Sequence, residues 1–147
     1  MAKFDRNAIV PCSAEEMFHL VAEIENYPQF ISWCKFVSYK TDFPGCITAE
    51  IKAEIKGIPL NFSTRNKNTP FKSIDINLHK GPFKALSGKW SFADIAEGQC
   101  NVGFFIEWKF RSLVLEKSSG FIFEQVADKI FDAFLERAHE KQRKNRD

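Results

Sequence analysis

The C-terminal part of the sequence carries an apolar stripe with the period of one long helix. Beyond Leu113 and Leu115, apolar residues recur three and four positions apart, which is the spacing of a single helix face. The stripe consists of Phe123, Val126, Ala127, Ile130, Phe134 and Ala138, and it is widened by Phe121, Ile122, Phe131 and Leu135. A long helix with so broad an apolar face must pack against a large apolar surface. Gly120 marks a point at which this helix can bend.

The preceding segments supply that surface as an antiparallel sheet. Between Ile47 and Lys56, apolar and polar residues alternate strictly, so one face of this strand is buried and the other is wet. Further strands are predicted at 4–10, 36–43, 58–66, 74–78, 86–92 and 102–110, with turns at Pro44-Gly45, Gly57 and Glu97-Gly98 and a loop over 66–70. Sheets of this size curl as strands are added, which gives the helix a concave face to lie against.

Two helical segments follow the first strand. Ser13 and Glu16 have the spacing of a capping box, which predicts a helix running to about Glu25. Pro28 suits the first turn of a second short helix over 28–33. The predicted fold class is therefore α+β, with one domain over 1–147 in which a curved antiparallel sheet wraps around a long C-terminal helix. The space between sheet and helix is a natural ligand cavity.

Composition limits what such a cavity would hold. The sequence has 16 phenylalanines, whose rings make no conventional hydrogen bonds, so a lining built from them favours greasy ligands over sugars or nucleotides. The alternative is a Phe-rich core without a cavity, and composition leaves both open. A net charge of +2 is too small to indicate nucleic-acid binding by itself, and we expect no DNA partner.

The cysteines and the N-terminus indicate a reducing compartment. Cys12, Cys34, Cys46 and Cys100 form no CxxC pair and no cluster with zinc-ligand spacing, so we expect reduced thiols and no metal site. The charged N-terminus lacks the apolar run of a signal peptide, and no apolar stretch reaches transmembrane length. We expect a cytoplasmic protein that can contact the inner membrane peripherally.

Three segments carry a resemblance to a known family. They are Val10–Phe18, Tyr27–Cys34 and Gly81–Phe92, and together with the element order they make the chain similar to the coenzyme Q-binding START-domain proteins of the polyketide cyclase superfamily. Two positions depart from the family pattern, since Cys12 replaces a typical aromatic residue and Ser32 a frequent proline. The resemblance implies a START-like helix-grip fold.

The same resemblance implies two alternative functions. One is binding of ubiquinone or a similar lipid as a carrier or chaperone that supports respiration. The other, from the ribosome-association toxin branch, is binding to the large ribosomal subunit so that the subunits cannot join. The residues do not choose between these two.

A cyclase-type enzyme is the third alternative, and the residues do not favour it. The histidines His19, His79 and His139 have no spacing that indicates a catalytic triad with a serine or cysteine. Glu107 is the best acid candidate, but it alternates away from the apolar face of its strand. We therefore predict a binding protein without catalytic residues or cofactor, whose ligand is an isoprenoid quinone or another hydrophobic small molecule.

The predicted site follows from the apolar faces of the sheet and the long helix. The predicted cavity walls are Trp90, Phe92, Phe104, Ile106, Trp108, Phe123, Val126, Ile130 and Phe134, and the predicted mouth or lid is Tyr27, Phe30, Trp33 and Phe83. Arg65 is a candidate polar contact for a ligand head group. The alternative is that the walls are ordinary core, that the 28–33 helix plugs one end of the sheet, and that Phe83 covers the core beside a shaped turn.

The basic segment 141–147 permits two interpretations. Cations at the end of a helix complement the helix dipole and keep a terminal helix solvated. The four basic residues of this segment also suit a salt-sensitive contact with anionic lipid or ribosomal RNA.

Overall fold

The structure is a computed structural model that describes residues 1–55 and 57–146, and the side chains of all of these except residues 55, 119, 121, 122, 145 and 146. The strands of this part of the chain are β1 (Ala2–Val10), β2 (Cys34–Phe43), β3 (Cys46–Ile55), β4 (Ile58–Thr69), β5 (Ser73–Lys80), β6 (Phe83–Ala96) and β7 (Gln99–Phe110). The helices are α1 (Ala14–Ala22), α2 (Tyr27–Phe30) and α3 (Leu113–Arg146). The predictions for Lys56 and for the side chains of Phe121 and Ile122 lie outside the described residues.

All seven strands form one antiparallel sheet in the order β1-β7-β6-β5-β4-β3-β2. Consecutive strands from β2 to β7 are neighbours, and β1 pairs with β7. The first and last strands of the chain therefore lie side by side, and β1 and β2 form the two edges of the sheet. The sheet curves around α3, which contacts β1 and β7. The predicted α+β class, the curved antiparallel sheet and the long C-terminal helix are thus confirmed.

The N-terminus of α1 is fixed twice. Ser13 and Glu16 form the predicted capping box, in which the Ser13 hydroxyl accepts from the Glu16 amide and the Glu16 carboxylate accepts from the Ser13 amide. In addition, the Ala14 amide donates to the Asp94 carboxylate at 2.8 Å, which ties the helix to β6. The helix ends at Ala22, earlier than predicted, because the chain turns through a 3-10 segment at Ile24–Asn26.

The second helix is shorter than predicted, and β4 is longer. α2 ends at Phe30, because Ile31 already has extended backbone angles, although Pro28 does sit in its first turn. The predicted loop over 66–70 is wrong in large part, since β4 continues to Thr69. Asparagine is a poor strand former, but here Asn66 pairs with Ile47 on one side and with Ile76 on the other, so sheet pairing overrides the local preference.

Aromatic rings form a large part of the core between the sheet and α3. Trp90 of β6 stacks on Phe104 of β7 with ring centres 4.2 Å apart, and Phe134 of α3 meets Trp90 edge-on at 5.2 Å. Such pairs add about 0.5–1.5 kcal/mol each beyond the area they bury. Phe131 and Phe134 are almost fully buried, so α3 is held in the curve of the sheet by rings from both sides.

Candidate functional site

A cavity of about 80 Å³ remains between the concave face of the sheet and α3. The sheet contributes residues of β2 to β7, α3 closes one side, and the segment from Ile24 to Cys34 covers one end. Seven of the nine predicted wall residues line it, namely Trp90, Phe104, Ile106, Phe123, Val126, Ile130 and Phe134. Sequence reasoning missed the small residues Ala49 and Ala127, and these leave space that larger side chains would fill.

The other two predicted wall residues, Phe92 and Trp108, lie in the core but do not line the cavity. Phe92 packs edge-on against Phe18 of α1 with ring centres 5.9 Å apart. Trp108 packs against Phe123 of α3 at 4.8 Å. Both point to the concave side as predicted, but the apolar face of the sheet is longer than the cavity, so its two ends are filled by helices.

The predicted mouth divides in the same way. Tyr27 and Trp33 line the cavity, whereas Phe30 packs outside it against Phe134, with ring centres 5.3 Å apart. The guanidinium of Arg137, also on α3, lies 5.4 Å from the centre of the Phe30 ring, so α3 contacts Phe30 through both an aromatic ring and a cation. α2 is therefore a short cover over the cavity that is fastened to α3 by aromatic contacts.

Phe83 is a core residue and not part of the mouth. Its side chain is 1% exposed and stacks on Phe110 with ring centres 4.7 Å apart. A register shift between Phe83 and Ala85 changes the alternation at the start of β6, which turns Phe83 to the same face as Leu86.

Arg65 does not reach the cavity, because it is exposed on the opposite face of β4. Its neighbours Thr64 and Asn66 line the cavity instead. The Thr64 hydroxyl donates to the Asn66 side-chain oxygen at 2.9 Å. The alternation of Leu60 and Phe62 with polar residues would have indicated this, since Thr64 and Asn66 continue the same inward face.

No Asp, Glu, Lys, Arg or His lines the cavity in the described part of the chain. Two weakly acidic groups do, Tyr27 and Cys34, and both stay protonated near neutral pH. Burial, with smaller contributions from Cys34 and Glu25, raises the pKa of Tyr27, whose hydroxyl donates to the Val21 carbonyl. Burial also raises the pKa of the Cys34 thiol to about 11. The lining formed by the described residues is thus suited to holding a neutral, largely apolar group, and its two titratable groups keep their protons near neutral pH.

The remaining titratable candidates lie elsewhere. His19 packs beside Phe71, and Glu107 accepts a long hydrogen bond of 3.5 Å from Ser87. Among the described residues, no three His, Cys, Asp or Glu side chains come together as metal ligands. In the basic segment, Lys141, Arg143 and Lys144 are exposed, and the side chains of 145–147 lie outside the described residues. No helix in the described ranges combines the length and the apolar character needed to cross a membrane.

Comparison with known proteins places this arrangement in a family. The family model described as polyketide cyclase / dehydrase and lipid transport matches residues 10–135. The ribosome association toxin RatA of Escherichia coli (strain K12) is 36% identical over 140 residues, which is 95% of this chain and 89% of that protein. The mitochondrial coenzyme Q-binding protein COQ10 homolog B of Xenopus laevis is 21% identical over 140 residues, or 92% of this chain and 57% of that protein.

The fold has counterparts among solved structures. The ZhuI aromatase/cyclase from Streptomyces sp. R1128 superposes with a TM-score of 0.84 over 95% of this chain and 94% of that one, at 13% identity. At that identity the likeness concerns the fold alone. Because the family model covers most of the chain and the 36% identical relative is matched over nearly its whole length, the chain belongs to the START-like polyketide cyclase / dehydrase and lipid transport family.

Proposed function

We propose that this protein binds a neutral hydrophobic small molecule, foremost an isoprenoid quinone such as ubiquinone, in the cavity between the sheet and α3. The observation that carries this proposal is an interior space whose lining is mostly apolar and free of charged side chains among the described residues. The coenzyme Q-binding relative supports the quinone as ligand. The protein would act as a carrier or chaperone in respiration that exchanges its ligand during transient contact with the inner membrane.

The cavity volume constrains how a quinone would be held. Pockets that enclose drug-sized ligands measure about 300–1,000 Å³, whereas this cavity measures about 80 Å³. A cavity that binds benzene measures about 150 Å³, so a quinone ring would require the walls to move apart, and a long tail would need an exit. Displacement of α2 would open such an exit. This helix has only four residues, and it contacts α3 mainly through the rings of Tyr27 and Phe30, which pack on Phe134.

Binding without catalysis fits this cavity better than a cyclase activity does. A cyclase must move protons, and the titratable groups that line the space, Tyr27 and Cys34, both have raised pKa values. The likeness to aromatase/cyclases is a likeness of fold, and a fold can host unrelated functions.

The test is to purify the full chain from bacterial cytosol, extract it with organic solvent and analyse the extract by mass spectrometry. We expect a quinone in near-stoichiometric amount. Ile130→Gln places a polar amide in the cavity wall and should lower quinone loading, whereas Val114→Gln, at a 76% exposed position of the same helix, should not. Folded protein that carries no lipid and takes up no added quinone would refute the proposal.

A second candidate function is ribosome association, and a specific observation favours it. The 36% identical relative, named a ribosome association toxin, matches over nearly the whole of both chains. The exposed cations Lys141, Arg143 and Lys144 at the end of α3 suit a contact with the phosphates of the large ribosomal subunit. Such binding would block joining of the subunits.

Strong expression followed by sucrose-gradient sedimentation tests this candidate. We expect a shift from whole ribosomes to free subunits, and the shift should weaken when Lys141, Arg143 and Lys144 are all replaced by alanine. Replacement of three exposed lysines from the first 40 residues, Lys3, Lys35 and Lys40, is the matched control. Unchanged gradients at high expression of the wild-type chain would exclude this function.

A further inference from the structure

The inward face of β4 changes character halfway along the strand. Leu60 and Phe62 are apolar and buried, but Thr64, Asn66 and Asn68, which follow at the same spacing, are polar. Asn66 lines the cavity and also a smaller neighbouring space of about 30 Å³, to which Asn68 contributes. An otherwise apolar cavity therefore has one polar end.

The hydrogen bonds at this end leave one donor available. The Thr64 hydroxyl donates to the Asn66 side-chain oxygen, which fixes the side-chain nitrogen of Asn66 as the free group of the amide. Within the described residues this nitrogen makes no hydrogen bond. Elsewhere in the lining, the Tyr27 hydroxyl donates to the Val21 carbonyl, and the indole rings of Trp33 and Trp90 carry further N–H groups.

We infer that Asn66, oriented by Thr64, selects the ligand by donating a hydrogen bond to its polar end, so that the preferred ligand is neutral and carries a hydrogen-bond acceptor such as a ring carbonyl. This inference rests on the proposed binding function and specifies its ligand class. Asn66 is half-buried, and an apolar ligand that covers its amide would remove water from the nitrogen without offering an acceptor, so such a ligand is bound less well. A carboxylate is disfavoured for a different reason, because no cation lines the cavity in the described residues to offset its desolvation.

The experiment compares three probes with ten-carbon tails or chains on the purified full chain: decylubiquinone, decylbenzene and decanoate. Binding is measured by calorimetry, and for the quinone also by quenching of the fluorescence of Trp33 and Trp90, which line the cavity. Asn66→Leu removes the donor while keeping a side chain of similar size. Asn77→Leu, at an exposed position of the adjacent strand β5, is the matched control.

For the wild-type chain we expect decylubiquinone to bind more tightly than both other probes. Asn66→Leu should weaken quinone binding about three- to tenfold and leave decylbenzene binding unchanged or tighter. The control variant Asn77→Leu should bind all three probes as the wild type does. Thr64→Val should weaken quinone binding in the same direction, because the amide loses its orienting partner.

Three results would overturn the inference, and they show whether the proposed function fails with it. If wild type and Asn66→Leu bind decylubiquinone equally, Asn66 does not select the ligand, while the proposed cavity function stands. If decanoate binds to the wild type as tightly as decylubiquinone does, the cavity does not prefer a neutral acceptor, and the inference fails while the proposed cavity function stands. If folded wild-type protein binds none of the three probes, the proposed function itself fails and this inference fails with it.

Discussion

Filling the cavity from α3 provides the most direct test of its existence and use. Ala127 is 1% exposed and lines the cavity, and Ala127→Leu adds three carbon atoms that project toward the empty space. Leucine and alanine have similar helix propensities, so the substitution changes packing and little else. Ala133 lies on the same helix, is partly buried and does not line the cavity, which makes Ala133→Leu a matched control.

The magnitude follows from the cavity volume. An empty cavity costs about 24 cal/mol per Å³, so the 80 Å³ found here costs about 2 kcal/mol. Three buried carbon atoms at about 0.8 kcal/mol each give a similar value. Part of this gain is lost to the ordering of the leucine side chain, which costs about 0.5–1 kcal/mol. We expect the free energy of unfolding to rise by about 1–2 kcal/mol.

Urea denaturation of ligand-free protein, monitored by tryptophan fluorescence, measures this change. The slope of the free energy of unfolding against urea concentration should be the same in the variant and the wild type. A thermal midpoint raised by about 2–8 °C would correspond to it. Ala133→Leu should remain within about 0.5 kcal/mol of wild type. Ala127→Leu should also lose binding of decylubiquinone. A loss of stability of about 1–3 kcal/mol, the usual cost of overpacking, would mean that the space is not there. Quinone binding unchanged in a stabilised variant would place the ligand elsewhere.

Three further predictions concern stability and the thiols. Asp94→Ala removes the acceptor of the Ala14 amide at the start of α1 and should cost about 1–2 kcal/mol in urea denaturation, most of which Asp94→Asn should restore. In native protein a thiol-specific reagent should react with Cys46, the one partly exposed cysteine, much faster than with the other three, and equal rates in mass spectra would contradict this burial. Burial raises the pKa of Cys12 to about 12 and the pKa of Cys34 to about 11, both from 9.0. As the pH rises above about 9, these thiols lose their protons in the unfolded chain before they do so in the folded chain, so the free energy of unfolding should fall. The fall should be smaller in Cys34→Ala, and urea denaturation at a series of pH values measures it.

The fold could be predicted where sequence alternation and burial agree. The strand from Ile47 onward and the last strand both alternate because one face is buried, and the capping box of Ser13 and Glu16 fixed the start of α1. The end of β4 could not be predicted from local preference, since asparagine is a poor strand former. Asn66 is extended because strands on both sides pair with it, and those partners are distant in sequence.

The site was harder to predict than the fold, because a cavity is what side chains fail to fill. Phe92 and Phe104 look alike in sequence, but α1 covers Phe92 and leaves Phe104 beside the empty space. The charge of Arg65 suits a polar head group, but Thr64 and Asn66 share the inward face of Phe62, and Arg65 lies on the other face. Phe83 precedes a register shift in β6 that no alternation pattern reveals.

The filled-cavity variant also separates the two candidate functions. Ligand binding needs the interior space, whereas ribosome association needs an exterior surface, and Ala127 is buried while Lys141, Arg143 and Lys144 are exposed. If the two functions are independent, Ala127→Leu removes quinone binding and leaves the effect on ribosomal subunits intact, and the triple alanine replacement at 141, 143 and 144 does the reverse. If Ala127→Leu abolishes both in a protein that is more stable than wild type, loss of folding is excluded as the cause. The state of the cavity would then control the exterior surface, and α3, which carries both Ala127 and the basic residues, would be the element that connects them.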